Sequence, residues 1–178
     1  MIIRGEPVRR WSRRSLIGLA LAALAVTAGS PRAQAAPVLL GRFGFEVPAT
    51  VRALDPPRAG WQWQGQFVEG GVPSIIVLAR ADLADVAPEE AFGLLLASGA
   101  GGGLPGLTAG PARSRTTQDG SPALRSPLSY RPSPKINYRG TVLITENAGT
   151  TAVLAVLGTE RLTAGRADQI LDSVRWSA

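Results

Sequence analysis

Between Trp61 and Val68, apolar and polar residues take turns. Trp61, Trp63, Gly65 and Phe67 interleave with Gln62, Gln64, Gln66 and Val68. A period of two sends successive side chains to opposite faces, so this stretch is a strand rather than a helix. Glu69-Gly70-Gly71 then turns the chain into Ile75-Ile76-Val77-Leu78-Ala79, a continuous apolar run expected of a more central strand. A hairpin is the simplest connection between the two. The chain must therefore be built around an antiparallel sheet.

Other segments repeat the theme. Val38 to Val47 reads as one strand, with Phe43, Phe45 and Val47 on one face and Pro48 at its end. Pro56-Pro57-Arg58-Ala59-Gly60 is a turn. Pro111–Thr117 and Ser121–Tyr130 are weaker strands around the hairpin dipeptide Asp119-Gly120. Arg131 to Lys135, with two prolines, reads as a loop. Gly140–Thr145 and Thr151–Leu157 are strong strands around Asn147-Ala148-Gly149. Two stretches have helical spacing. Asp85 to Ser98 has Asp85 as its cap, Pro88 in its first turn, and a stripe of Phe92, Leu95 and Leu96 widened by Ala91 and Leu94. In the last helix, capped by Thr163, Ala167, Ile170, Leu171 and Val174 recur at i, i+3, i+4 and i+7, and Trp176 follows. The expected fold class is α+β: an antiparallel β-sheet with two amphipathic helices packed on it.

The first 35 residues have a different character. Arg4, Arg9, Arg10, Arg13 and Arg14 precede an apolar run from Leu16 to Ala28, and Ala33-Gln34-Ala35 is a small-x-small cleavage pattern. Positive charge before an apolar segment holds the N-terminus on the cytoplasmic side. The run is too short to span a bilayer core, which takes about 20 residues. Ser12-Arg13-Arg14-Ser15-Leu16-Ile17 resembles the twin-arginine export pattern Ser-Arg-Arg-x-Phe-Leu-Lys, with Gly18 in place of the final Lys. Residues 1–35 are thus expected to be a cleaved export signal, and residues 36–178 a single domain in the periplasm, cell wall or medium. The alternatives are an uncleaved membrane anchor, a mitochondrial-type presequence and a general secretion signal. No Cys follows the apolar run, which excludes a lipoprotein anchor.

Composition then limits the chemistry. The chain has 178 residues, no Cys and no His. It therefore lacks thiol and imidazole nucleophiles, imidazole bases and the usual zinc, copper and iron ligands. No cofactor is expected. A domain with no disulfide to form can fold before it is exported. The formal net charge of +6 resides mostly in the leader, which holds Arg4, Arg9, Arg10, Arg13, Arg14 and Arg32 against Glu6. The remainder is nearly neutral, so nucleic acid is not an expected partner.

Few constellations carry chemistry. Asp82, Asp85, Glu89 and Glu90 form an acidic cluster with no calcium-loop spacing and fit a helix N-terminus. Ser98 to Gly103 follows a helix and lacks the Lys of a phosphate loop. Lys135 is the one lysine, and Ser129 and Ser133 are its candidate partners in a hydrolytic dyad. Trp61 and Trp63 form either a ligand-stacking platform or core. Between 113 and 139, Arg113, Arg115, Arg125, Arg131, Lys135 and Arg139 face one acid, Asp119, with Tyr130 and Tyr138 interleaved. This run is either a patch for an anionic surface or charge scattered over both faces of its strands.

Two segments carry a resemblance. Gly44-Phe45-Glu46-Val47-Pro48 and Ala167-Asp168-Gln169-Ile170-Leu171-Asp172-Ser173-Val174 resemble the opening strand and closing helix of the PsbP-like fold family. Val51 and Leu54 stand where that family usually has an aromatic. The family is named for an extrinsic photosystem II subunit and extends to bacterial exported proteins. The resemblance implies a non-enzymatic binding or accessory module and transfers no catalytic residue. The expected protein is an exported monomer that meets the export machinery through Arg13, Arg14, Ala33 and Ala35. Its expected partner is a protein or an anionic envelope component, met through Trp61, Trp63, Arg113, Arg115, Arg131 or Lys135. The competing classes are an envelope hydrolase using Ser/Lys or carboxylates, and a structural subunit of an envelope complex.

Overall fold

A computed structural model describes residues 35–69, 71–100, 104, 106–159 and 164–177. Arg13, Arg14, Ala33, Gly101–Gly103 and the expected cap Thr163 lie outside the described residues. In chain order the elements are β1 (Ala35–Leu40), β2 (Phe43–Pro48), β3 (Arg52–Ala53), β4 (Trp63–Glu69), β5 (Val72–Ala84), α1 (Pro88–Ala100) and β6 (Thr108–Ala109). They continue with β7 (Arg113–Thr116), β8 (Pro122–Ser133), β9 (Ile136–Asn147), β10 (Thr150–Gly158), α2 (Ala164–Asp172) and β11 (Arg175–Trp176). The described residues thus form an antiparallel α+β fold.

The main sheet runs β3-β4-β5-β10-β9-β8-β6, with β7 also paired to β8. The expected hairpins are present. β4 pairs β5 through Glu69↔Val72, and β9 pairs β10 through Asn147↔Thr150. Ala148 and Gly149 have φ of 49° and 74°, the left-handed pair that a two-residue hairpin turn requires. β5, β10 and β9 are central, and residues 151–158 of β10 are all buried. Gly140 of β9 permits a close approach of β10. A Cβ there would lie 1.8 Å from the Val156 carbonyl oxygen.

Each face of the sheet has its own core. On one face, Ile75, Val77, Leu143, Leu154 and Val156 pack against Phe43, Phe45 and Trp176 of a small β1-β2-β11 sheet and against Ala167, Ile170 and Leu171 of α2. On the other, Ile76, Leu78, Val142, Ile144, Val153 and Ala155 pack against Ala91 and Leu95 of α1 and against Tyr130 and Tyr138. Burial on both faces explains why the central strands read as apolar runs rather than alternations.

Four local expectations are corrected. Val38–Val47 is not one strand: Gly41, at φ 60°, reverses the chain so that β1 folds onto β2 with Leu40 opposite Phe43. Asp85 does not cap α1. It sits at φ 55°, its N–H donates to the Gly149 carbonyl at 2.8 Å, and Ala87 accepts the first helical bond from Ala91. Leu94 is 45 % exposed and lies outside the buried stripe. Arg131–Lys135 is not a loop: β8 runs to Ser133, and β9 starts at Ile136 after a tight turn.

Candidate anion-binding cleft

The arginine-rich segment forms the β7–β8 hairpin and the start of β9. Gly120, at φ 84°, supplies the turn. Register then decides where the charges go. Arg113 lies directly opposite Arg125, and Arg115 opposite Ala123. Directly opposed residues share a face, as do residues two apart on a strand. Arg113, Arg115 and Arg125 therefore project from one face. It is the α2 face, because Arg125 is also opposite Leu143, which packs in the same core as Leu171.

Gly110 holds the hairpin edge in place. Its N–H donates to the Pro127 carbonyl at 2.9 Å, and Ser126 Oγ donates to the Gly110 carbonyl at 2.8 Å. A Cβ at Gly110 would lie 2.7 Å from the Pro127 ring. The result is a cleft between the hairpin and α2, of about 460 Å³, lined by Pro111, Arg113, Arg115, Arg125, Pro127, Thr141 and Asp168. A second lobe of about 210 Å³ adjoins it and is lined by Thr116, Thr117, Gln118, Leu143, Leu171 and Asp172. Arg115 and Arg125 line both lobes.

Arg125 is fixed where it stands. It donates through Nη2 to Asp168 and through Nη1 to Asp172 at 3.3 Å. The two carboxylates are spaced i, i+4 on α2 and so share one helix face. Arg113 and Arg115 are exposed and make no ion pair among the described residues, and the whole of β7 is exposed.

The other sequence candidates do not converge on the cleft. Arg131 is exposed near the end of β8, six residues from Arg125, which is roughly 20 Å along a strand. Lys135 is exposed in the β8–β9 turn, and Ser129 Oγ is engaged with Asn137 at 3.2 Å rather than with the lysine. Trp61 and Trp63 part company. Trp63 packs into the α2-side core, edge-on to Phe45 at 5.4 Å, while Trp61 lies just before β4 and packs into the α1-side core. Both indoles are half-buried, so they form no shared platform. Among the acids, Asp82 pairs with Arg80 at 2.7 Å, and no described group of His, Cys, Asp or Glu gathers as a metal site.

Sequence spacing did not single out two features. One is the Arg125–Asp168–Asp172 network, for which the i, i+4 pair of aspartates was the available signal. The other is the stack of Tyr130 on Tyr138, with centroids 5.8 Å apart, where Arg58 Nη1 donates to the Tyr130 hydroxyl at 3.1 Å. Burial, with Tyr130 beside it, pushes the Tyr138 phenol above its ordinary pKa. A third cavity, about 750 Å³, lies at β3 and β4 and is lined by short and apolar side chains with Arg52 and Gln66.

No family model matches the chain, and no curated protein matches it. Solved structures do. The solution structure of cyanobacterial PsbP from Synechocystis superposes with a TM-score of 0.60 at 14% identity, over 86% of this chain and 99% of that one. A Bacteroides thetaiotaomicron crystal structure follows with a TM-score of 0.48 at 10% identity, over 77% of this chain and 46% of that one. At such identities the first likeness defines the fold, and the fold is PsbP-like.

Proposed function

We propose that this chain is an exported, non-enzymatic binding module that holds an anionic protein or envelope component in the Arg113–Arg115–Arg125 cleft. The observation that carries the proposal is the convergence of three guanidinium groups on one concave face. Among the described residues two of the three have no acidic partner, and the third is held rigid. Guanidinium forks match the planar oxygens of carboxylates and phosphates and hold them through paired hydrogen bonds. The PsbP-like fold supports an accessory rather than a catalytic role, since the resemblance brings no catalytic residue with it. The test is retention of the chain on the envelope fraction of its own cells. Retention should fall as salt rises, because exposed charge pairs are screened. It should also fall in an Arg113→Glu/Arg115→Glu variant. Retention that is indifferent to both changes rules the proposal out.

A further inference from the structure

We infer that the bilobed cleft is a phosphate site, binding the terminal phosphate of a small organic or lipid phosphomonoester at the waist between its lobes. This rests on the binding role proposed above and goes further by naming the chemical group.

The stereochemistry of β7 is the first support. All four residues of Arg113–Thr116 are exposed, so the strand adds nothing to either core. Its ladder also places Arg113 directly opposite Arg125, whose charge Asp168 and Asp172 already offset. Arg113 and Arg115, exposed and with no ion pair among the described residues, are the cations left for an anion to meet.

Donor geometry narrows the anion. Each guanidinium carries five N–H donors, while a carboxylate offers only two oxygens. Arg125 already spends an Nη1 and an Nη2 donor on Asp172 and Asp168, but the donors of Arg113 and Arg115 alone outnumber the roughly four lone-pair sites of a carboxylate. A phosphomonoester presents three terminal oxygens and nearly two negative charges at neutral pH. Arg125 is already oriented by Asp168 and Asp172, so it loses little freedom on binding. The side chains of Arg113 and Arg115 supply the remaining charge, and Arg115 and Arg125 stand where the lobes meet. The 460 Å³ lobe, lined by Pro111, Pro127 and Thr141 besides the three arginines and the Arg125-paired Asp168, has the size of a small-molecule pocket and receives the organic body.

The experiment titrates the full-length chain in two arms. One uses inorganic phosphate and pyrophosphate by calorimetry. The other uses phosphatidylcholine vesicles with and without phosphatidic acid by co-sedimentation. Each arm is repeated with Arg113→Gln/Arg115→Gln, whose exposed positions leave the cores intact. The variant keeps the N-terminal arginines, so any binding by them cancels in the comparison. A dissociation constant at least tenfold weaker in the variant supports the site. Loss in the free-phosphate arm points to a soluble phosphomonoester, and loss in the vesicle arm alone points to a lipid headgroup. Absence of binding in both arms, or equal binding by wild type and variant, overturns it. Salt-sensitive envelope retention that depends on the same arginines would then show that the binding module stands and its ligand is not a phosphate.

Discussion

Asp119 shows how much one exposed turn residue can hold together. It sits at the tip of the β7–β8 hairpin, where Oδ1 accepts from Thr117 Oγ1 at 2.5 Å. Oδ2 accepts from Ser121 Oγ at 2.9 Å and from the Trp176 N–H at 3.3 Å. Burial pushes the carboxyl up, but these hydrogen bonds and one from its own backbone outweigh it and hold the pKa below 3.8. A depressed carboxylate stabilises the fold when ionised. Its contribution is therefore complete above pH 3.8 and fades as pH falls from there through the lower folded value. Urea denaturation of wild type and Asp119→Ala should show a gap that is constant from pH 7 to pH 5 and narrows below pH 3.8. A gap that persists unchanged into strong acid would mean that the charge plays no part. The Asp119-Gly120 turn was legible as a hairpin dipeptide. Its bond to Trp176, 57 residues away, was not, because no local pattern encodes a tertiary partner.

At the scale of elements, strands that alternate or run apolar were legible, and those of two residues were not. β4 shows its alternation, and β5, β9 and β10 show apolar runs. β3, β6 and β11 are too short to show either, and they exist only because a longer neighbour offers an edge. β11 nevertheless matters to stability. It pairs with β2 through Trp176↔Phe43, and the Trp176 ring meets Phe43 edge-on at 5.3 Å while its indole N–H donates to Thr145 Oγ1 at 3.4 Å. Trp176→Ala should cost about 3–5 kcal/mol in chemical denaturation, the usual range for a buried aromatic. A loss under about 1 kcal/mol would show that the small sheet is a loose appendage rather than part of the core. The candidate site lies between these cases. Its charge run was visible in the sequence, but its convergence depends on the pairing of Arg113 with Arg125 and on the placement of α2. One residue of slip in the register would have sent Arg113 and Arg115 to the opposite face from Arg125.

At the scale of the whole molecule, the fold closes on its own ends. β2, near the start of the domain, pairs with β11, whose last residue is Trp176, and Ser177 N–H donates to the Arg42 carbonyl at 2.8 Å. The small sheet is complete only once β11 has been synthesised. A fold joined this way, in a sequence with no cysteine to oxidise, would suit the export as a folded unit that we propose. Cleavage after Ala35 would leave Ala36–Leu40 paired with Phe43–Val47, so removing the leader need not disturb the sheet. The corresponding prediction separates charge from recognition. Changing Arg13 and Arg14 together to Lys keeps every positive charge before the apolar run but removes the guanidinium pair. Immunoblots of fractionated cells should then show the precursor retained in the cytoplasm, while the wild type is exported and its intact mass begins at Ala36. Retention would result from the lost arginine pair alone, since a general secretion signal needs only the charge. Export of the double-Lys form at the wild-type level would remove the twin-arginine assignment.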